Sequence, residues 1–185
     1  MLKGKTVVVG VCGGIAAYKS CEVVSRLRKL GADVHVIMTE HATEFVRPLT
    51  FETLSNNPCV SDMLVMAHLC AIINTAMFRA CSLFRRQTEW EVEHISLAKK
   101  ADLFVVAPAT ANFVGKFANG IADDMLTTTV MATKAPVLLA PSMNEGMLTS
   151  SAFVRNLALL RETGVSVVDG DSGFLACGDN GRGRM

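Results

Sequence analysis

Short apolar runs alternate with segments of helical spacing along this chain, and that alternation constrains the fold more than any other feature. The runs are Thr6 to Val11, Asp33 to Met38, Leu103 to Ala107, Val137 to Ala140 and Val165 to Val168. They are rich in valine, leucine and isoleucine and mostly free of polar interruptions, as strands covered on both faces are. Between the first two, Ala17, Cys21, Val24 and Leu27 recur at helical spacing while Arg26, Arg28 and Lys29 face away, and Gly31 supplies the stop. Phe153, Leu157 and Leu160 repeat in the same way before Gly164, and Trp90 to Leu97 reads as another amphipathic helix. Strands alternating with helices need crossover connections, so the expectation is a doubly wound, Rossmann-like α/β domain with a parallel sheet.

A chain of 185 residues suits one such domain spanning 1–185. Half its residues are apolar and 19% are charged, which excludes a disordered chain, and a net charge of +1 gives no footprint for nucleic acid. The six cysteines form no CxxC pair and no zinc-ligand spacing, so no metal site is expected. Four of them lie in apolar stretches as small hydrophobes, and the N-terminus carries no signal-peptide pattern, so a reduced, cytoplasmic protein is expected.

In a doubly wound sheet, ligands bind outside the carboxyl ends of the strands. Small and amide residues gather there in this sequence. Gly13-Gly14-Ile15-Ala16-Ala17 joins the first strand to a helix and lets backbone N–H groups approach a phosphate, although a tight turn would need the same glycines. The spacing is neither GxGxxG nor a P-loop. Thr39, after the second strand, could donate its hydroxyl to that phosphate or to a ribityl oxygen, or simply cap a helix. Pro108 and Asn112 bracket a loop whose amide suits a heteroaromatic ring edge or an Asx turn.

Asn144, in the loop after the fourth strand, could hold a carboxylate without adding charge, or form a turn. His94 suits acid–base work but also an ordinary helix surface. Cys177 stands apart from the other cysteines in a polar, glycine-rich tail, as a reactive thiol or as a bystander. Asp123-Asp124 reads as a helix start or turn rather than a carboxylate pair for chemistry.

Seven segments in order resemble the homo-oligomeric flavin-containing cysteine decarboxylases. They are Gly13 to Lys19, Pro48 to Phe51, His94 to Ala98, Pro108 to Asn112, Ala118 to Asp124, Pro141 to Met147, and Ala176-Cys177-Gly178 leading into Gly181 to Met185. The likeness is strongest to the phosphopantothenoylcysteine decarboxylase branch, including the N-terminal half of the bacterial bifunctional enzyme. It implies FMN-dependent decarboxylation of 4'-phosphopantothenoylcysteine to 4'-phosphopantetheine in coenzyme A synthesis. By that resemblance Gly14, Ile15, Ala16, Thr39, Pro108, Ala109, Thr110, Ala111 and Asn112 bind FMN.

His94 is then the histidine of the oxidative half-reaction, and Asn144 holds the substrate carboxylate. Cys177 is the acid that protonates an enethiol intermediate. Met147, Ala176, Gly178 and Asp179 would complete the substrate site, the last three as part of a flap. The resemblance also implies trimers, with flavin near the subunit interface and His94 supplied by a neighbour.

Three features depart from the family pattern. Roughly twenty extra apolar residues, 64–83, precede the His94 helix; His68, Asn74 and Arg79 within them argue against a membrane span. Phe113 stands where the family commonly has threonine. Met185 closes a segment that leads into a ligase domain in the bifunctional enzyme, so a stand-alone decarboxylase or a truncation is expected. Rival readings are a decarboxylase of peptides ending in cysteine, a flavin-binding regulatory subunit without catalysis, and a nicotinamide-dependent oxidoreductase on the same fold.

Overall fold

The computed structural model describes residues 2–61, 93–168, 170–174 and 180–184. The five apolar runs form strands within one parallel sheet. Its members are β1 (Thr6–Val11), β2 (Asp33–Met38), β3 (Cys59–Val60), β4 (Leu103–Ala109), β5 (Val137–Pro141) and β6 (Ser166–Val167). They lie in the order β3-β2-β1-β4-β5-β6, with every neighbouring pair parallel. Strand order reverses between β1 and β4, which makes their carboxyl ends the switch point where such sheets open a crevice.

Alternation along each strand feeds two cores, because successive side chains point to opposite faces. Val7, Val9, Val11, Val34, Val36 and Val105 pack on one face under α1 (Ala17–Lys29) and α3 (Pro48–Ser55). Val8, Ile37, Phe104, Val106 and Leu139 pack on the other with α4 (Glu93–Lys100), α5 (Ala111–Ala118), α6 (Met125–Ala132) and α8 (Ser151–Glu162). The helix stops follow the sequence: Gly31 and Gly164 both take φ +91°, and Asn56 takes φ 58° after α3. A buried hydroxyl ties α1 to the sheet where Ser20 Oγ donates to the Ala107 carbonyl at 2.5 Å.

The third apolar run continues further than its valines suggest. β4 runs through Pro108 and Ala109, so this segment is a strand end and a helix start rather than a loop. Proline lacks the N–H that a ladder needs. The pairing with β5 shifts register between Val106 and Ala109, and the Ala107–Pro108 peptide is cis. The helix expected from Trp90 begins, among described residues, at Glu93 and runs to Lys100.

The glycine-rich tail forms an antiparallel pair, β7 (Asp171–Phe174) with β8 (Asn180–Arg184). Its sequence lacks the apolar alternation that marks a half-buried strand, and so reads as tail until seen paired. The expected insertion at 64–83 lies outside the described residues. Among the described residues no helix is long and apolar enough to cross a membrane.

Candidate functional site

At the switch point the strand ends are stitched by main-chain bonds. Cys12 N donates to the Pro108 carbonyl at 3.2 Å, Thr39 N to Val11 at 3.0 Å, and Ser142 N to Ala109 at 3.1 Å. Above them opens a cavity of about 1270 Å³. Gly14, Ile15, Ala16, Thr39, Pro108, Thr110, Ala111, Asn112, Asn144 and Met147 all line it. Four strand-end segments far apart in sequence therefore converge on one site. Ala109 does not line it: it is fully buried within β4. His94 does not line it either; it sits half-buried in the first turn of α4, which packs against α6. Ala176, Cys177, Gly178 and Asp179 lie outside the described residues.

The wall built by β1, α1 and β2 carries several donors that have no protein acceptor among the described residues. Among the described residues, the N–H groups of Gly14, Ile15 and Ala16 enter no backbone hydrogen bond. The helix they lead into has no side-chain cap at Ala16 and no acid in its first turn. Thr39 occupies the N-cap position of α2 (Glu40–Thr43) yet makes no side-chain cap bond, and its buried Oγ1 has no hydrogen-bond partner among the described residues. Leaving a buried hydroxyl unsatisfied costs about 1–3 kcal/mol. Such an atom beside an uncapped helix start fits an anionic ligand. Gly14 keeps this wall open, since an added Cβ would come within 3.8 Å only of Thr110 Cγ2.

Elsewhere in the cavity Thr110, Asn144 and Asp124 already have partners. Thr110 Oγ1 caps α5 by accepting from Phe113 N at 3.3 Å, which leaves Ala111 and exposed Asn112 in the first turn at the cavity. Phe113 is buried, with its ring 5.8 Å from that of Phe117. Asn144 Oδ1 accepts from Gly146 N at 2.8 Å and caps α7 (Glu145–Leu148), so the turn role holds while the residue still faces the cavity. Asp124 caps α6 in a reciprocal capping box with Thr127, as a helix start.

Sequence reasoning did not anticipate that Asp123, Asp124 and Lys116 also line the cavity. Lys116 Nζ lies 2.8 Å from Asp123 and 3.8 Å from Asp124. The hydrogen bond to Asp123 raises the lysine above its ordinary value and lowers the aspartate below its own. The i, i+7 spacing of Lys116 and Asp123 spans a turn after α5, so no helical periodicity could have signalled the pair. His41 and Phe45, which carried no motif, and Tyr18, from the Gly13 to Lys19 segment, are further wall residues. Burial pushes the Cys12 thiol, just beneath the glycine turn, up to about 12, against the opposing hydrogen bonds of Thr110. Among the described residues no cluster of His, Cys, Asp or Glu could hold a metal ion.

Comparison with known proteins gives this site its context. Residues 1–185 match the Flavoprotein family over the whole chain. The chain belongs to the Flavoprotein family. It is 44% identical over all its 185 residues to the coenzyme A biosynthesis bifunctional protein CoaBC of Bacillus subtilis (strain 168), covering 41% of that protein. It is 44% identical over 184 residues to the CoaBC of Escherichia coli (strain K12), covering 40% of it. The chain thus spans about two fifths of the length of these curated relatives.

Among solved structures, a PPC decarboxylase mutant complexed with pantothenoylaminoethenethiol matches with TM-score 0.75 and 27% identity, over 98% of this chain and 90% of that one. The FMN-dependent cysteine decarboxylase SpaF matches with TM-score 0.77 and 29% identity, over 99% of this chain and 91% of that one.

Proposed function

We propose that this chain binds FMN in the switch-point cavity and decarboxylates 4'-phosphopantothenoylcysteine to 4'-phosphopantetheine, within coenzyme A biosynthesis. The observation that carries the reading is the donor wall. The N–H groups of Gly14, Ile15 and Ala16 and the orphaned Thr39 hydroxyl fit a phosphate and the ribityl oxygens beside it. The likeness to CoaBC, to PPC decarboxylase and to SpaF supports both cofactor and substrate.

Bound FMN supplies reversible two-electron chemistry that gives the cysteine side chain the electron sink it lacks. The chain's own residues position and protonate. Pro108, Thr110, Ala111 and Asn112 line the same cavity, with Thr110 next to Gly14 of the donor wall, and would face the ring. Asn144, oriented by its bond to Gly146, offers a neutral amide side chain for the substrate carboxylate, and Met147 borders it. Cys177 would deliver the proton that replaces carbon dioxide, with Ala176, Gly178 and Asp179 around the substrate. The net change is loss of carbon dioxide and gain of a proton at one carbon, without net oxidation.

His94 enters the reading as a residue acting on the cavity of a second copy in a homotrimer. What supports this is its position outside its own cavity and the apolar cavity edge, where Ile15 and Tyr18 are each 59% exposed and Phe45 50%. Apolar side chains grouped at one edge suit burial against a partner. A cytoplasmic setting suits the buried, unpaired thiol of Cys12.

The test is direct. The purified chain should be yellow with bound FMN and should release carbon dioxide from phosphopantothenoylcysteine. Bound flavin without turnover of this substrate would sink the assignment, and turnover of a peptide ending in cysteine instead would favour the second reading.

A further inference from the structure

We propose that His41 recognises the phosphate of the cofactor and lets the cavity distinguish FMN from riboflavin; the proposal rests on the FMN reading above. His41 is the second residue of α2 and lines the cavity on the donor wall. Its backbone is pressed against the glycine turn. A Cβ added to Gly13 would strike His41 Cβ and would lie 2.8 Å from its carbonyl carbon. The root of the imidazole is therefore fixed beside the turn whose N–H groups open α1, two residues along from the orphaned Thr39 hydroxyl. The imidazole itself is exposed and forms no hydrogen bond or ion pair among the described residues. Whichever tautomer it adopts, it offers at least one N–H donor, and a second when protonated.

The charges around the cavity give that donor a role. A phosphate monoester carries a charge of about −1.5 to −2. Glu40 and Glu44 flank His41 on the same short stretch and line the cavity, and their carboxylates oppose an anion. Of the cavity's lysines, Lys116 is engaged by Asp123 at 2.8 Å and Asp124 at 3.8 Å. Lys19 lies in the first turn of α1. His41 is the side chain whose backbone abuts the turn itself, so it is placed to donate a hydrogen bond where the N–H groups converge. Riboflavin has the same ring and ribityl chain without the phosphate, and isolates this contact.

The experiment titrates FMN and riboflavin into the flavin-free chain, following flavin fluorescence, for the wild type, His41→Ala, His41→Gln and Lys19→Met. His41→Ala should weaken FMN binding about tenfold and leave riboflavin binding unchanged. His41→Gln, which keeps an N–H donor, should recover part of the loss. Lys19→Met reports how much of any phosphate preference comes from general positive charge. Equal losses for both flavins in His41→Ala would make His41 a packing residue and overturn the proposal, as would unchanged FMN affinity. A wild-type chain that binds neither flavin would instead remove the FMN reading itself.

Discussion

The two walls of the cavity are built differently. The inner wall stands on β1, β2 and α1, elements whose register is fixed over six residue pairs between β1 and β2 and whose core side chains are fully buried. Among the described residues, its Thr39 Oγ1 and the N–H groups of Gly14, Ile15 and Ala16 have no protein hydrogen-bond partner. The outer wall stands on the four-residue helix α7 and on β8, joined where Met143 N donates to the Gly183 carbonyl at 3.2 Å. Its cavity-facing Asn144 already caps a helix. A wall with unsatisfied donors on a rigid base is preorganised for one resident ligand. A wall of short, internally satisfied elements suits a ligand that comes and goes. On the proposed function, this division suits a cofactor inside and a substrate outside.

Breaking the inner wall should have the largest effect. Gly13→Ala forces a methyl against the His41 main chain, with the carbonyl carbon at 2.8 Å and the carbonyl oxygen at 3.0 Å, neither of which can rotate away. The added strain, up to about 3 kcal/mol, corresponds to roughly a hundredfold loss of FMN affinity, measurable by fluorescence titration. Unaltered FMN binding would mean that the glycine turn does not shape the cofactor site.

Gly183 is the matching position on the outer wall. It takes φ +112°, and an added Cβ would strike the Met143 carbonyl oxygen. Gly183→Ala should raise the substrate KM about tenfold through roughly 1–2 kcal/mol of strain, while FMN affinity stays within about twofold. Parallel losses of FMN and substrate would erase the distinction between the walls.

The smallest effect lies beneath the inner wall. Cys12 is lifted from an ordinary thiol value of 9.0 to about 12 by burial, so the fold favours its neutral form. Its contribution to stability is complete below pH 9, where the unfolded thiol is also neutral, and is lost as pH rises from there toward about 12. Cys59 is pushed to about 12 by burial as well, helped by Glu52, and adds to the same limb. Cys12→Ala should make the loss of stability between pH 9 and 12 shallower, measured by denaturant titration at successive pH values. An unchanged slope would mean that the thiol ionises as freely in the fold as out of it.

Much of the inner wall was legible because its signals are local. Val7 to Val11 and Val34 to Met38 announce buried strands by composition, and Gly13-Gly14 and Thr39 follow them directly. β3 was not legible, because two residues, Cys59 and Val60, are too short to carry a period. The pairing of β7 with β8 was hidden for a related reason: its glycines and charges satisfy backbone bonds without an apolar face.

Lys116, His41 and Phe45 reach the cavity through tertiary placement alone. Each reads as ordinary helix or loop surface until the strand ends are brought together. Pro108 misled in the opposite sense, since a proline that usually ends a strand is accommodated here by a register shift. The roles expected of Cys177 and its neighbours fall outside the described residues.

The central claim is that the inner wall's unsatisfied atoms are there for FMN, and Thr39→Val tests it most directly. Valine keeps the shape of threonine while removing the buried Oγ1 that has no partner among the described residues. The flavin-free variant should be as stable as the wild type or more so, by about 1 kcal/mol, because an unsatisfied buried hydroxyl has been deleted. Its affinity for FMN should fall about tenfold. A variant that binds FMN as tightly as the wild type, or whose flavin-free form is less stable, would contradict the account.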